Sequence, residues 1–423
     1  MADIKNIRSA QRRSDGYKPN SASGMQDLNV LSELTEVYQF LEYGNRWDME
    51  HFEQAMDYYV GKQWTDDEMD MLQNEGRPPL SLNLIFGKVN TVAGLEQQIR
   101  SGFKATPIGA EDDELAMLAT ALLKWEDRNK QLQKVFSRAF KTAIQCGRAW
   151  IDVSVAPIMG EVTMSNRVRN ESVFNVYKDP DSRELDMSDA TYLSRQKWLS
   201  IPQLKRLYPD VFMNKNVQEI GAMLNFERDA RYPRRVTEME YDYSVNPNIH
   251  DWSSYVDNNK KRARVIELYE KKVEWQWYVI SAEGQRFAAK NKQHALEKTK
   301  ELNKLAQQTG MNELFAPAKV PEDKIEMSVF SGNLIIRKKV PLPFRHNKFP
   351  IVPVTAYMED TGGRIETFGI VKNLIDPQDE KNKRHSQFTD ILNRAPKGGG
   401  FFQQSAIDAE QLKALSTPGS WVG

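Results

Sequence analysis

The stretch QCGRAWIDVSV, residues 145–155, decides the class of fold. Before it, Leu132, Val135, Phe136, Ala139 and Ala143 recur at helical spacing on one stripe, and Gly147 is a natural C-terminal stop because glycine takes a left-handed backbone without a steric penalty. Beyond it, Ala149 to Val155 reads as a buried strand, and after a turn at Pro157 to Gly160 a second strand is expected from Val162 to Val168. The region is mixed helix and sheet, and the chain is expected to be α+β.

Upstream the pattern is helical. Leu28 to Leu72 carries many aromatics, with Asp48 expected to cap a helix presenting Phe52, Met56 and Tyr59. Arg77-Pro78-Pro79 breaks the run, and Asn83 is expected to cap a second helix carrying Ile85, Val89, Val92 and Ile99, ended by Gly102 and Pro107. A helical pair follows from about Asp112 to Gln145, its first half striped by Leu115, Leu118, Leu122 and Trp125. Residues 1–24, with Arg8, Arg12, Arg13 and Lys18 among Ser, Asn and Gly, have too few apolar groups to pack. They read as a flexible basic arm, either a solvated tail or one that orders against a partner subunit or nucleic acid.

Downstream, Asp179-Pro180-Asp181 is a turn, Tyr192 to Trp198 a strand, and Ser200 the cap of a short helix bearing Leu204 and Leu207. After a turn-rich stretch with Pro233, Pro247 and Asn248, Val265, Glu267 and Tyr269 share one strand face, and Val273, Trp275, Trp277 and Val279 another. A Lys-rich helix is expected over Ala288 to Gln308, with Ala295, Leu302 and Ala306 as its apolar face; strands at Lys324 to Phe330 and Leu334 to Val340 follow. The span 280–345 thus reads as a β-helix-β-β module. Then come an apolar strand from Phe349 to Tyr357, a hinge at Gly362-Gly363, and a helix running to Arg394 with Asp376 as cap and Pro377 at its first position. That helix is polar apart from Phe388, Ile391 and Leu392, which suits a ring or bundle with neighbouring copies better than a monomer's core.

Composition narrows the function. The 423 residues are 40% hydrophobic, enough for two or three cores, and 58 Lys and Arg balance 58 Asp and Glu, so any DNA contact is local or weak. The single cysteine, Cys146, excludes an internal disulfide and fits a reducing cytoplasm; no stretch approaches the roughly 20 apolar residues of a membrane span. The five histidines lie too far apart in sequence to form a helical metal pair. There is no GxxxxGK[ST] phosphate loop and no GxSxG elbow, and Cys146 reads as a core residue. The acidic clusters Glu111 to Glu114 and Asp66 to Glu68 fall at helix starts, where carboxylates favour the dipole. The competing reading is a metal-dependent nucleic-acid enzyme with such a cluster holding Mg²⁺; a third is a scaffolding adaptor without a DNA channel. Three basic features remain: the arm, the lysines of 290–304, and Lys381, Lys383, Arg384, Arg394 and Lys397.

Read together, QCGRAWIDVSV (145–155), ESVFNVYKDPDSRELDMSDATYLSRQKWLSIPQLKRLYPD (171–210), RVIELYEKK (264–272) and FPIVPVTAYMEDTGGRIETFGIVKNLIDPQDEKNKRHSQFTDILNRAPKGGGFF (349–402) give a chain that resembles the portal proteins of tailed bacteriophages, most like those of short-tailed phages. The resemblance covers most of residues 55–405 and rests on ordered phrases rather than on one strict motif. It implies a non-enzymatic ring, usually of twelve subunits, at one capsid vertex of the virion, made in the bacterial host cytoplasm and needing no cofactor. Double-stranded DNA, held weakly and without sequence preference, would pass through it. Implied partners are the terminase large subunit, the tail adaptor proteins, the scaffolding protein and the major capsid protein, with no membrane. The resemblance further implies a helix-rich wing over 25–279 after the arm, a small clip over 280–345, and a stem with its return to the wing over 346–400. Such chains continue through a tunnel loop and crown, so 401–423 is expected to be the truncated start of that region. By position, Tyr278, Lys292, Lys298, Lys300 and Arg345 would serve motor or tail docking at the clip, and Lys381, Lys383, Arg384, Arg394 and Lys397 would face the channel or a neighbouring subunit.

Overall fold

Arg262–Ser281 is a single 20-residue strand, where the sequence suggested successive shorter ones. No Gly or Pro interrupts it, and β-branched and aromatic residues lie on both sides of Lys271-Lys272, so nothing ends it there. It belongs to a computed structural model that describes residues 23–99, 102–107, 109, 112–157, 164–215, 219–220, 256–257, 261–281, 286–309, 315–332, 334–342, 344, 346–362 and 365–394. The basic arm up to residue 22, the turn at 158–160, the stretch around Pro233 and Pro247, Gly363, Arg345, Lys397 and residues 401–423 lie outside these. The chain divides into two units, Met1–Asn45 with Asn175–Phe349, and Arg46–Phe174 with Pro350–Gly423.

In the first unit, strands Val176–Lys178, Tyr192–Ser200, Arg262–Ser281, Phe315–Ser331 and Leu334–Pro341 pair antiparallel in that order, and Val256–Asp257 and Arg286–Ala289 also pair with the long strand. Residues 263–269 of the long strand are buried on both faces. One face packs Ala263 and Val265 with Val329 against Ile201, Leu204 and Phe212 of two short helices and Tyr208 between them. Toward the other, the N-terminal part of helix Ser23–Val60 buries Leu31, Leu34, Tyr38 and Leu41, with Tyr38 edge-on to Phe330. That helix presses so closely that a Cβ on Gly44 would stand 2.1 Å from the Pro180 ring, so only glycine fits. Ser200 starts the helix Ile201–Leu207 as expected, its N–H held by the Gln203 carboxamide at 2.9 Å.

Beyond Tyr269 the long strand turns outward to solvent: Val279 is buried, Trp277 half-buried, and Trp275 and Val273 exposed. Phe315–Ser331 pairs with it throughout and begins nine residues before the expected Lys324. The added stretch contains Pro317 and Pro321, which cannot donate to a ladder. They are tolerated because Leu334–Pro341 pairs only as far as Glu326, leaving 315–324 as a sheet edge among the described residues. The Lys-rich helix is Lys292–Thr309; Ala288 and Ala289, expected to open it, end a strand instead. Its apolar face holds, with Ala295 and Ala306 buried and Leu302 packed against Val279, Ala289 and Ala295.

In the second unit, strands Ile351–Thr355, Arg148–Pro157 and Met164–Glu171 form an antiparallel sheet under helix Leu132–Cys146, with Ala139, Ala143, Ala149 and Ile151 at the core. Gly147 stops the helix at φ +109°, and a Cβ there would lie 2.5 Å from the Phe368 backbone. Asn83 caps helix Leu84–Gln98, accepting from Phe86 N–H at 3.1 Å, and Ile85 and Val89 are buried. Helix Asp113–Lys130 has no buried residue, so the stripe Leu115, Leu118, Leu122 and Trp125 is not core in this chain. Gly362 lies between the paired strands Tyr357–Asp360 and Ile365–Phe368, in a hairpin connection instead of a hinge.

Two expected caps are helix-interior residues. Asp48 lies inside Ser23–Val60, buried, with Oδ2 accepting from Arg148 Nη2 at 2.9 Å; Arg148 also donates to Thr367. The charge partner, a hundred residues away, outweighs the local preference for a helix start. Asp376 is the second residue of Ile375–Arg394, because Lys372–Leu374 already forms a 3₁₀ turn leading into the helix.

The first unit also encloses charge. Glu267 accepts from Arg195 Nε at 2.8 Å, from the Tyr269 hydroxyl at 3.0 Å and from Lys197 at 3.4 Å. Burial pushes its carboxyl up, but Arg195 and Lys197 outweigh that and hold it down to about 2. A depressed acid stabilises fully above its ordinary value of 4.5 and loses that contribution as pH falls toward about 2. Glu267→Gln is therefore expected to cost about 3–5 kcal/mol at neutral pH by leaving Arg195 buried beside a neutral group. In denaturant titrations the gap to wild type should close between those two pH values; a gap that does not vary with pH contradicts this.

Candidate channel and assembly surfaces

Helix Ile375–Arg394 carries four of the basic residues singled out from the sequence, Lys381, Lys383, Arg384 and Arg394, and its docking explains where the first three point. The buried residues recur every four positions, Gln378, Asn382, Ser386 and Asp390, and all are polar. They satisfy the extended segment that follows Arg77. Gln378 donates to Leu82 O at 2.7 Å and accepts from Leu84 N–H at 3.2 Å. Asn382 accepts from Leu82 N–H at 3.0 Å and donates to Gln63 at 2.7 Å, and Ser386 donates to Pro78 O at 2.7 Å. Pro78 and Pro79 keep this segment out of a helix, so its backbone groups need partners from elsewhere. At the start of the helix, the Tyr58 hydroxyl donates to both Asp379 oxygens at 2.9 Å. Burial raises the pKa of each, most of all for the phenol, whose proton is thereby kept.

With the polar face turned inward, the rest of the helix faces out. Phe388, Ile391 and Leu392 are exposed, as are Lys381, Lys383 and Arg384. Arg384 pairs with Glu380 on the same helix, and Lys383 lies 3.9 Å from Glu68. Lys381 makes no ion pair among the described residues. Arg394 is the last helical residue. Lys397 lies outside the described residues.

The other group of singled-out residues lies in the first unit. Tyr278, on the long strand, donates to Glu322 on the paired strand at 2.5 Å, and burial together with that carboxylate pushes its phenol up to about 12. Lys298 reaches across to Ala288 O at 3.1 Å, and Ala288 is the register partner of Tyr278, so these two share one small module. Lys292 and Lys300 are exposed on its helix, and Arg345 is outside the described residues. Exposed Trp275 carries Lys319 over its ring at 5.8 Å, and Lys324 pairs with Glu274, so both charge signs are mixed along this hairpin.

The acidic clusters have local roles. Thr65 and Glu68 form a capping box, and Asp113 and Glu114 occupy the first turn of their helix; Glu111 is outside the described residues. Among the described residues no group of three or more His, Cys, Asp or Glu is placed to hold a metal ion, and no helix is long and apolar enough to cross a membrane. Cys146 is buried, and burial pushes its thiol up to about 12. Sequence reasoning missed the polar docking stripe, although the four-residue spacing of Gln378, Asn382, Ser386 and Asp390 is its written signal. It also missed the Asp48–Arg148 pair, which no local spacing announces.

A family model described as Phage P22-like portal protein matches residues 42–419. No curated protein matches the sequence.

The polar stripe makes a sharp expectation for stability. Asn382→Leu strands the Leu82 N–H and the Gln63 carboxamide and should cost about 2–4 kcal/mol in chemical denaturation, whereas Lys381→Ala should change stability by less than about 0.5 kcal/mol. An unchanged or increased stability for Asn382→Leu would show that the helix docks by apolar contact instead.

Proposed function

Because the chain belongs to the P22-like portal family, whose members are structural capsid components carrying the DNA-packaging channel at the portal vertex of the virion, we propose that its copies close into a dodecameric ring in which helix Ile375–Arg394 lines or borders the bore. The observation that supports this reading is the inverted docking of that helix: polar stripe inward, Lys381, Lys383, Arg384 and the apolar Phe388, Ile391 and Leu392 outward. A helix burying its own apolar side would need no neighbour; one that exposes it does.

In this assignment the helix is the stem's return toward the wing, and the outer half of hairpin Arg262–Ser281 and Phe315–Ser331, with helix Lys292–Thr309, is the clip. The clip would dock the terminase large subunit and later the tail adaptor proteins through Tyr278, Lys292, Lys298, Lys300 and Arg345. Contacts with scaffolding and major capsid proteins, and synthesis in the host cytoplasm, belong to the same reading. The electrostatics suit a passage. Of Lys381, Lys383 and Arg384, two lie near carboxylates of their own chain, so DNA meets a tempered positive surface, and each phosphate left unneutralised spares the sliding duplex a hold.

Duplex binding tests this. The full chain should bind with a Kd of about 10⁻⁴–10⁻⁶ M at physiological salt, whatever the sequence. A variant with Lys381, Lys383 and Arg384 all changed to Ala should flatten the dependence of log K on log salt while leaving assembly intact. Nanomolar preference for one sequence, or metal-dependent cleavage of the duplex, contradicts the reading.

A further inference from the structure

We infer that helix Asp113–Lys130 and helix Leu84–Gln98 are the two halves of the subunit interface, the first of one copy seating its apolar stripe on the second of the next copy; the inference rests on the ring proposed above. The stripe is the largest aligned run of unpartnered side chains on one helix: Leu115 is 64% exposed, Leu118 68%, Leu122 59% and Trp125 57%. Within its own chain the helix is partly covered on another side, at Ala116, Ala119, Thr120, Glu126, Asp127 and Lys130, about a third of a turn away. Among the described residues nothing in intrachain packing accounts for the stripe.

Its counterpart lies in the same unit. Helix Leu84–Gln98 buries Ile85, Val89 and Ala93, and its outward side carries Gly87 and Gly94 flanked by exposed Leu84 and Leu95, with Ile99 just beyond its end. Glycine weakens a helix interior relative to alanine, and among the described residues nothing lies within 4 Å of where a Cβ would stand on either glycine. Fold alone therefore gives no reason for them. A neighbouring helix does, because the missing side chains leave a shallow trough, edged on one side by Leu84 and Leu95, that accepts bulky knobs.

The occupant is a second copy for three reasons. A head-to-tail ring needs two unlike faces on every subunit, and this unit offers one of knobs and one of trough. A stable contact buries about 800 Å² per partner around an apolar centre, and four large aligned side chains are enough to form such a centre. The charges also match, with exposed Lys88 on the trough side and exposed Asp113 and Glu114 opening the stripe helix.

The test uses the full chain, with mass and sedimentation as readouts. A knob variant carries Leu118→Asp with Leu122→Asp, and a trough variant carries Gly87→Leu with Gly94→Leu. Each alone should stay monomeric at concentrations at least about tenfold above those at which wild type assembles. An equimolar mixture should give dimers and no rings, since only one good interface survives per pair. The trough variant should melt at or above wild type. If it misfolds, Gly87→Ala with Gly94→Ala carries the test, expected to melt higher and assemble more weakly.

If wild type forms rings and both variants do too, these helices are not the interface, while the ring reading stands. If the knob variant melts early yet assembles normally, a segment of the same chain covers the stripe and the inference is overturned. If wild type stays monomeric at every concentration, the ring reading itself fails.

Discussion

The hydrogen bonds from Gln378, Asn382 and Ser386 to the backbone and side chains at 63–84 are the constraint on which the functional surface depends. A proline-broken segment cannot satisfy its own amides, and a helix with a polar stripe at four-residue spacing supplies the partners. The exchange has a geometric consequence: once the polar side is committed inward, the lysines, Arg384 and the apolar residues of that helix have only the outside left. Charge and greasiness thus arrive together on one surface, which is what a subunit needs if it must both touch its neighbours and face a polyanion.

The second constraint is the long hairpin. Its inner half is a two-sided core, carrying a buried Arg195–Glu267–Tyr269 cluster between helices on either side. Its outer half has one supporting helix, mixed charges and exposed Trp275 and Val273. One pair of strands therefore runs from a rigid base to a surface free to meet partners, with no linker between them. Clip docking in the proposed ring would be transmitted along that ladder rather than across a flexible joint.

Much of this was legible in the residues. The stop at Gly147, the cap at Asn83, the strand Tyr192–Ser200 and the apolar face of the lysine helix are all set by local chemistry, and local chemistry is what spacing reports. The misreadings share another cause. Asp48 looks like a cap until Arg148 claims it; Asp376 looks like one until a 3₁₀ turn precedes it. The strand expected from Lys324 begins at Phe315 and carries Pro317 and Pro321, which fit only at an edge, and edge status depends on where another strand ends. The stripe at Leu115–Trp125 was legible as an aligned apolar face, but that it stays exposed among the described residues could not be read from spacing. For the site, the basic residues were visible singly, but their outward orientation follows from the polar stripe and could not be read from charge.

The central claim is that copies close around a hollow axis with the helix Ile375–Arg394 toward the bore. Cys146 is buried, so Lys381→Cys introduces a single reactive thiol. End-on electron microscopy of particles labelled there with a gold cluster tests the claim most directly. The account predicts closed rings with label density at the inner radius; solitary particles, or rings labelled on their outer rim, would contradict it.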